Sequence, residues 1–222
     1  SYSNPGLVYL GRVVEAVAGE PWEQYIIKNI FMPLGMTRSF FDRAPYHLAN
    51  ERSHSYFLDK GEIREAPFDF DTGITVSNGG LNAPLADMEK YLRFLLGAAE
   101  TEAGRAVLSR STLQEMWTPV VPIETAGGDR VDMGLCFFIE QRSGRNLIGH
   151  SGSQNGFISH LYLDLAARAG YLVSFNTEAV EEGGGPNTRG LDAELRTLFV
   201  TRVAPALEAE GKAAGPLSPA RR

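Results

Sequence analysis

At 222 residues, with 43% hydrophobic and 22% charged side chains, the chain has the balance of a globular protein that buries a core, which excludes a disordered tail. Its net charge of -6 and its 21 scattered lysines and arginines exclude a basic stripe that grips a phosphate backbone, so no nucleic acid partner is expected. No apolar run approaches the ~20 residues of a bilayer-spanning helix, and one cysteine excludes an internal disulfide or a multi-cysteine metal site.

Asn4 before Pro5 reads as an N-cap, and Leu7, Leu10, Val14 and Val17 recur on one face up to Gly19, which predicts a helix over 5–18 with Tyr2 at its N-terminus. A short helix follows from Pro21 into Phe31, and Pro33-Leu34-Gly35-Met36 is expected to break it. Residues 37–81 lack periodicity and read as a long excursion with short strands such as His54–Leu58. Within it, Asp69 and Asp71 ahead of a glycine suit a turn better than a carboxylate pair. Asn82 and Pro84 open a helix with Leu85, Met88, Leu92 and Leu95 on one face, and Asp87 and Glu89 suit the dipole of its first turns. Ser111 and Gln114 form a capping-box start for the next helix.

From Met133 the period shortens, and the runs 133–140, 146–150, 158–165 and 170–176 predict an antiparallel meander. Cys136 falls inside the apolar Gly134–Ile139 run and is expected as a buried structural thiol. Gly183-Gly184-Gly185-Pro186 reads as a loop that lacks the Lys and Ser/Thr of a phosphate loop. A final helix is expected over 188–207, with 208–222 as a flexible tail. The fold class is therefore α+β: an antiparallel sheet flanked by helices, with an attached helical region. Residues 1–207 are expected to be part of one domain, helical to about 130 and sheet-forming beyond. About four strands are visible, and the helix over 5–18 would expose a face, so the fold is expected to be incomplete at the N-terminus. The start, without Met and without a basic then apolar stretch, leaves the compartment open. His47, His54 and His160 lack metal-ligand spacing, so neither a metal nor a cofactor is expected.

Two constellations carry the chemistry: Tyr2-Ser3-Asn4 at a helix start, and His150-Ser151-Gly152 on a strand. Together with Y-S-N-P-G-L-V-Y-L-G-R-V-V-E-A-V-A-G, I-F-M-P-L-G-M, S-N-G-G-L-N-A-P-L-A-D-M-E-K-Y-L-R-F-L-L and G-H-S-G-S-Q-N-G-F, the chain resembles the serine β-lactamase-related, penicillin-binding-protein-like family over residues 1–178. That family includes class C β-lactamases, D,D-peptidases, D-aminopeptidases and esterases. The resemblance implies acyl transfer through a serine, with an ester, amide or peptide as the small-molecule substrate.

On this resemblance Tyr2 is the phenol that shuttles the proton, which it can do near neutrality only if cations stabilise a phenolate that otherwise forms near ~10. Asn4 is the motif amide that meets the substrate's acyl side chain or the motif lysine. His150, Ser151 and Gly152 occupy the third motif, Gly152 letting substrate approach the backbone and Ser153 offering its N–H to the oxyanion. Histidine stands where the family often has lysine, and it loses its charge near ~6.5. This favours esters and less charged amides over substrates that need a carboxylate held.

The first family motif, S-x-x-K, supplies the nucleophile, and here it is absent. Lys28, Lys60, Lys90 and Lys212 are preceded at three residues by Tyr25, Phe57, Asp87 and Ala209, none a serine. The chain alone is thus expected to be inactive, with a missing N-terminal segment completing the site. Two alternatives stay open: a non-catalytic binding or regulatory relative, and an α/β-hydrolase in which Gly149-His150-Ser151-Gly152-Ser153 is a near-elbow with Ser151 as nucleophile.

Overall fold

The computed structural model describes residues 2–99, 101–123, 130–180, 185 and 187–213. Helix α1 (Asn4–Ala18) begins one residue earlier than its proline suggests, because Ser3 is the cap: its hydroxyl accepts from the Gly6 N–H at 3.2 Å. It closes at Gly19, whose φ of 71° is left-handed and whose N–H reaches Glu15. Helix α2 (Trp22–Ile26) runs through a π-helical turn, Ile27–Phe31, into α3 (Met32–Leu34), and the break expected over Pro33-Leu34-Gly35-Met36 falls at Gly35. Proline sits in the first turn of α3, where its missing N–H costs little, and Gly35 at φ 72° ends the run.

The excursion holds β1 (Phe40–Phe41), which pairs with β4 (Leu81–Asn82), and a hairpin of β2 (Tyr56–Asp59) and β3 (Glu62–Glu65). Lys60 and Gly61 turn that hairpin with φ of 50° and 79°, the two left-handed positions a tight turn requires. Asp71 accepts from the Gly73 N–H at 2.7 Å, making the expected local turn. One short helix has no periodic signal, α4 (Val76–Gly79).

Next come α5 (Leu85–Leu95), α6 (Glu102–Arg105) and α7 (Arg110–Met116). Ser109 rather than Ser111 caps α7, accepting from the Thr112 N–H at 3.1 Å. The main sheet has six antiparallel strands in the order β10–β9–β8–β7–β6–β5, more than the four legible in the sequence. They are β5 (Val121–Ile123), β6 (Val131–Met133), β7 (Phe138–Arg142), β8 (Arg145–Gln154), β9 (Phe157–Asp164) and β10 (Ala169–Phe175).

The expected 133–140 strand is split by a turn. Gly134 packs so closely that an added Cβ would lie 2.3 Å from the Met116 carbonyl, and its N–H bonds to Phe137. Cys136, at φ 62° in this turn, is exposed, so the expected buried strand thiol is corrected. A seventh element, β11 (Thr177–Ala179), leaves the sheet to run parallel to β2.

Helix α8 (Thr188–Leu198) passes through a π turn, Phe199–Val203, into α9 (Ala204–Ala213), beyond the expected helix end at 207. Residues 214–222 of the expected tail and Gly183, Gly184 and Pro186 of the expected loop lie outside the described residues.

The sheet buries both faces. Ile148, Leu161 and Leu163 pack with Phe31, Leu34, Phe94, Leu95, Leu113 and Trp117 of the helical region. Leu147, Tyr162 and Ala169 pack with Phe199, Val200 and Ala204. Helix α5 lies directly on β10: a Cβ at Gly170 would meet Leu92 at 2.5 Å. Asp87 does more than complement a dipole. Buried at 2% exposure, its carboxylate accepts from the Arg38 N–H at 2.8 Å, the Ser39 hydroxyl at 3.0 Å and the Lys90 ammonium at 2.9 Å, tying α5 to the segment that follows α3. Asp87→Ala is expected to lower stability by roughly 2–3 kcal/mol, because it strands the Arg38 N–H and takes the carboxylate from Lys90, which keeps only the Gly35 carbonyl; urea denaturation measures it.

Candidate functional site

Strand β8 has a partner on each side only at Ile148 and Gly149 and a single partner elsewhere. It pairs with β7 only from Arg145 to Gly149, while β9 continues opposite it to Gln154. Residues 150–154 therefore present one edge with no strand partner among the described residues, a ready backbone surface for an extended ligand.

At the start of that free edge stands His150. Its ring centroid is 5.5 Å from that of Tyr2, and Phe138 completes the cluster at 5.1 Å from His150 and 6.0 Å from Tyr2. Residues 148 positions apart in sequence thus meet, Tyr2 delivered by the turn before α1 and His150 by β8. Asn4 is exposed at the first position of α1, two residues from Tyr2.

The His150 tautomer follows from its neighbour. Nδ1 lies 2.7 Å from the Ser151 carbonyl, which can only accept, so the proton is on Nδ1 and Nε2 keeps its lone pair. Burial holds this imidazole below its usual range, more than the Ser151 carbonyl raises it. His150 is therefore neutral at pH 7, with no positive charge to draw a substrate carboxylate. The Tyr2 phenol is pushed up, first by burial and then by the nearby Cys136 thiol. Nothing in the described cleft favours a phenolate; a cation would have to do so.

Strand alternation places Ser151 on the face opposite His150, since Ser151 pairs directly with His160, which faces α8. Ser151 also lies in mid-strand, followed by a hairpin at Asn155-Gly156 and not by a helix. The α/β-hydrolase elbow is thereby corrected: the strand-to-helix turn it needs is absent. The Ser153 hydroxyl donates to Glu178 at 3.1 Å, leaving its backbone for the edge.

Several wall residues had no sequence signal. Phe138 stacks on the Tyr2 ring and packs tilted against that of His150, Glu178 comes from β11, and Gln154 lies against α4, where a Cβ at Gly79 would sit 3.6 Å from its amide nitrogen. The α4 segment is clamped to α1, since the Ser77 hydroxyl donates to the Leu7 carbonyl at 3.2 Å and Gly11 leaves room for it. Among the remaining histidines, His54 pairs with Glu65 at 2.5 Å and His160 lies beside Asp192. No cluster of three metal-binding side chains occurs among the described residues, and no helix among them is long and apolar enough to cross a membrane.

The two glycines of G-H-S-G differ. A Cβ at Gly149 would lie 2.0 Å from the Leu161 carbonyl, whereas at Gly152 it would meet only the Ser159 hydroxyl at 3.6 Å. The fold demands the first and not the second. Gly149→Ala is expected to cost about 3 kcal/mol or prevent folding, while Gly152→Ala stays within about 0.5 kcal/mol of the parent in urea denaturation.

A family model described as Beta-lactamase matches residues 1–194. Beta-lactamase-like protein 2 of Dictyostelium discoideum is 25% identical over 78% of this chain and 30% of its own length. Penicillin-binding protein 4 of Amycolatopsis lactamdurans is 24% identical over 96% of this chain and 60% of its own. The structure of the octameric penicillin-binding protein homologue from Pyrococcus abyssi superposes with a TM-score of 0.70 at 27% identity, covering 90% of this chain and 42% of that one. The chain thus spans between 30% and 60% of the length of these relatives.

Proposed function

The chain belongs to the Beta-lactamase family, and on that premise we propose that it forms the phenol-and-edge half of a serine acyl-transfer hydrolase. The observation that carries this reading is the 5.5 Å approach of Tyr2 to His150 at the point where β8 loses its second partner. Tyr2 handles the proton of the nucleophile and of the leaving group, and Asn4 contacts the acyl side chain. Gly152 and Ser153 supply backbone to the substrate, with the Ser153 N–H as an oxyanion donor. The serine and lysine of S-x-x-K come from residues outside these 222; that lysine would be the cation Tyr2 lacks. A non-catalytic binding role is the competing reading, and labelling separates the two.

The neutral state of His150 bears on substrate class. An uncharged imidazole donating to its own strand offers a substrate carboxylate no ion pair, so an ester or an uncharged amide is preferred. In a form of the protein that carries an S-x-x-K serine, p-nitrophenyl butyrate is expected to be hydrolysed faster than nitrocefin; the reverse order defeats the substrate assignment. Tyr2→Phe in that form is expected to lower kcat by about 10²–10⁴-fold, the usual worth of a positioned proton-transfer group. Failure of that form to react with either ester or amide would favour the binding role.

The 222-residue chain itself offers a direct check. Treated with a fluorophosphonate and mapped by mass spectrometry, it is expected to carry no modified serine. A stoichiometric adduct on Ser151, or on any other serine of the chain, overturns the proposal that the nucleophile lies elsewhere.

A further inference from the structure

Behind the free edge of β8 lies a buried charged cluster that acyl transfer does not use. His160 on β9 is the direct cross-strand partner of Ser151 and is 7% exposed. Its Nδ1 stands 3.2 Å from Oδ2 of Asp192, a fully buried residue of α8. The other oxygen of that carboxylate accepts from the Tyr171 hydroxyl at 2.9 Å, and Arg196 Nε lies 3.3 Å from Oδ2. Arg196 turns Nη1 to Glu140, at 2.9 and 3.1 Å from its two oxygens, and Glu140 also accepts from the Tyr162 hydroxyl at 2.8 Å. The groups that face His160 are therefore Asp192, Arg196 and Arg189 from α8, Glu140 from β7, Tyr162 from β9 and Tyr171 from β10.

The charges do not balance. The buried Asp192 carboxylate and the half-buried Glu140 carboxylate share the half-buried Arg196 guanidinium, while Arg189, 56% exposed, sits 3.8 Å from Glu178 at the surface. Asp192, Glu140 and Arg196 together carry one formal negative charge until His160 takes a proton. Its hydrogen bonds are not well aligned either: Nδ1 of His160 and Nε of Arg196 both approach Oδ2 of Asp192, at 3.2 and 3.3 Å, without the alignment of a hydrogen bond, and the buried Nε2 of His160 has no hydrogen-bond partner among the described residues. Buried polar atoms are rarely left without an aligned partner. The carboxylate can only accept, so the neutral ring carries its proton on Nδ1; a second proton, on Nε2, makes the ring an imidazolium, strengthens the 3.2 Å approach to Asp192 by charge and cancels the excess charge.

We propose that His160 is a positioning residue for the free edge of β8: the charge it gains beside Asp192 sets how β9 holds Ser151, and with it the bond from His150 Nδ1 to the Ser151 carbonyl. The link is short. Ser151 pairs with His160 across the ladder, and its carbonyl receives the His150 Nδ1 proton at 2.7 Å. A change in that pair alters the bond that keeps the His150 lone pair on Nε2. The bearing on catalysis rests on the reading of this edge as the substrate site, whereas the coupling between the two histidines does not.

The direction with pH follows from burial. Burial holds His160 below its usual value, with Asp192 opposing, so the ring is uncharged at pH 7 and charges only as pH falls below ~6.5. In that window the unfolded chain binds more protons than the folded one, so stability rises with pH and the switch of the edge occurs on acidification.

Nuclear magnetic resonance of the 15N-labelled 222-residue chain, titrated from roughly pH 8 to pH 5 across the histidine range, tests this without substrate. The Ser151 amide is expected to shift with the midpoint of the His160 ring and not with that of the His150 ring. In His160→Gln this transition is lost, while the His150 ring still titrates. In Asp192→Asn the midpoint moves further down, because the carboxylate that draws the proton is gone. A Ser151 transition that follows His150 alone, one that persists in His160→Gln, or a His160 ring that never changes state overturns the proposal. Should His160→Gln fail to fold, the parent midpoints and Asp192→Asn decide it. Serine labelling or hydrolysis assays that defeat the acyl-transfer reading leave this result untouched, and the reverse also holds.

Discussion

The molecule is organised around one asymmetry of hydrogen bonding: β8 keeps β9 along its whole outer half but parts from β7 at Gly149. Backbone groups that lack a strand partner in a sheet are the most reactive surface a fold can offer another chain, and proteins usually blunt them. Here the edge is left open while a phenol, an imidazole and a phenyl ring gather at its beginning. Gly149 packs closely against Leu161 and Tyr162, and Gly152 leaves the outer stretch uncrowded. The same strand is thus closed in at Gly149 and open on its β7 side beyond it.

Buried charge does the work of fixing helices to this frame. Asp87 joins α5 to the chain before β1, and Arg145 joins the sheet to the C-terminal helix, pairing with Asp164 on β9 and with Glu208 of α9 at 2.9 Å. Asp192 does the same from α8 toward His160 and Tyr171. These ties carry direction as well as strength, since a carboxylate with three donors tolerates only one placement of its helix, whereas apolar contact permits sliding.

The sequence made some of this legible and hid the rest for identifiable reasons. Helical periodicity located α1 and α5, and glycine-separated alternation located β8, β9 and β10, because each pattern repeats over several residues. The boundaries moved where a single local bond decided them: Ser3 and Ser109 cap their helices in place of Asn4 and Ser111. The 133–140 run was read as one strand because its apolar character is continuous, while the turn inside it is imposed by contact between Gly134 and Met116. Tyr2, Asn4 and His150–Ser153 were legible as motifs. Phe138, Glu178 and Gln154 were not, since residues that only wall a cleft carry no pattern of spacing. The pairing of His160 with Asp192 was equally invisible, because the two lie 32 positions apart in sequence and only the packing of α8 brings them together.

The turn at Cys136 has a practical corollary. Its backbone sits at φ 62°, where any side chain with a Cβ is strained by about 1–2 kcal/mol relative to glycine. The residue is nonetheless exposed and holds the chain's sole sulfhydryl at the lip of the aromatic cluster, near Tyr2, where partial burial of the thiol pushes its pKa up. An alkylating fluorophore or spin label would therefore attach at one known address without engineering, and would report from beside the cleft on whatever enters it.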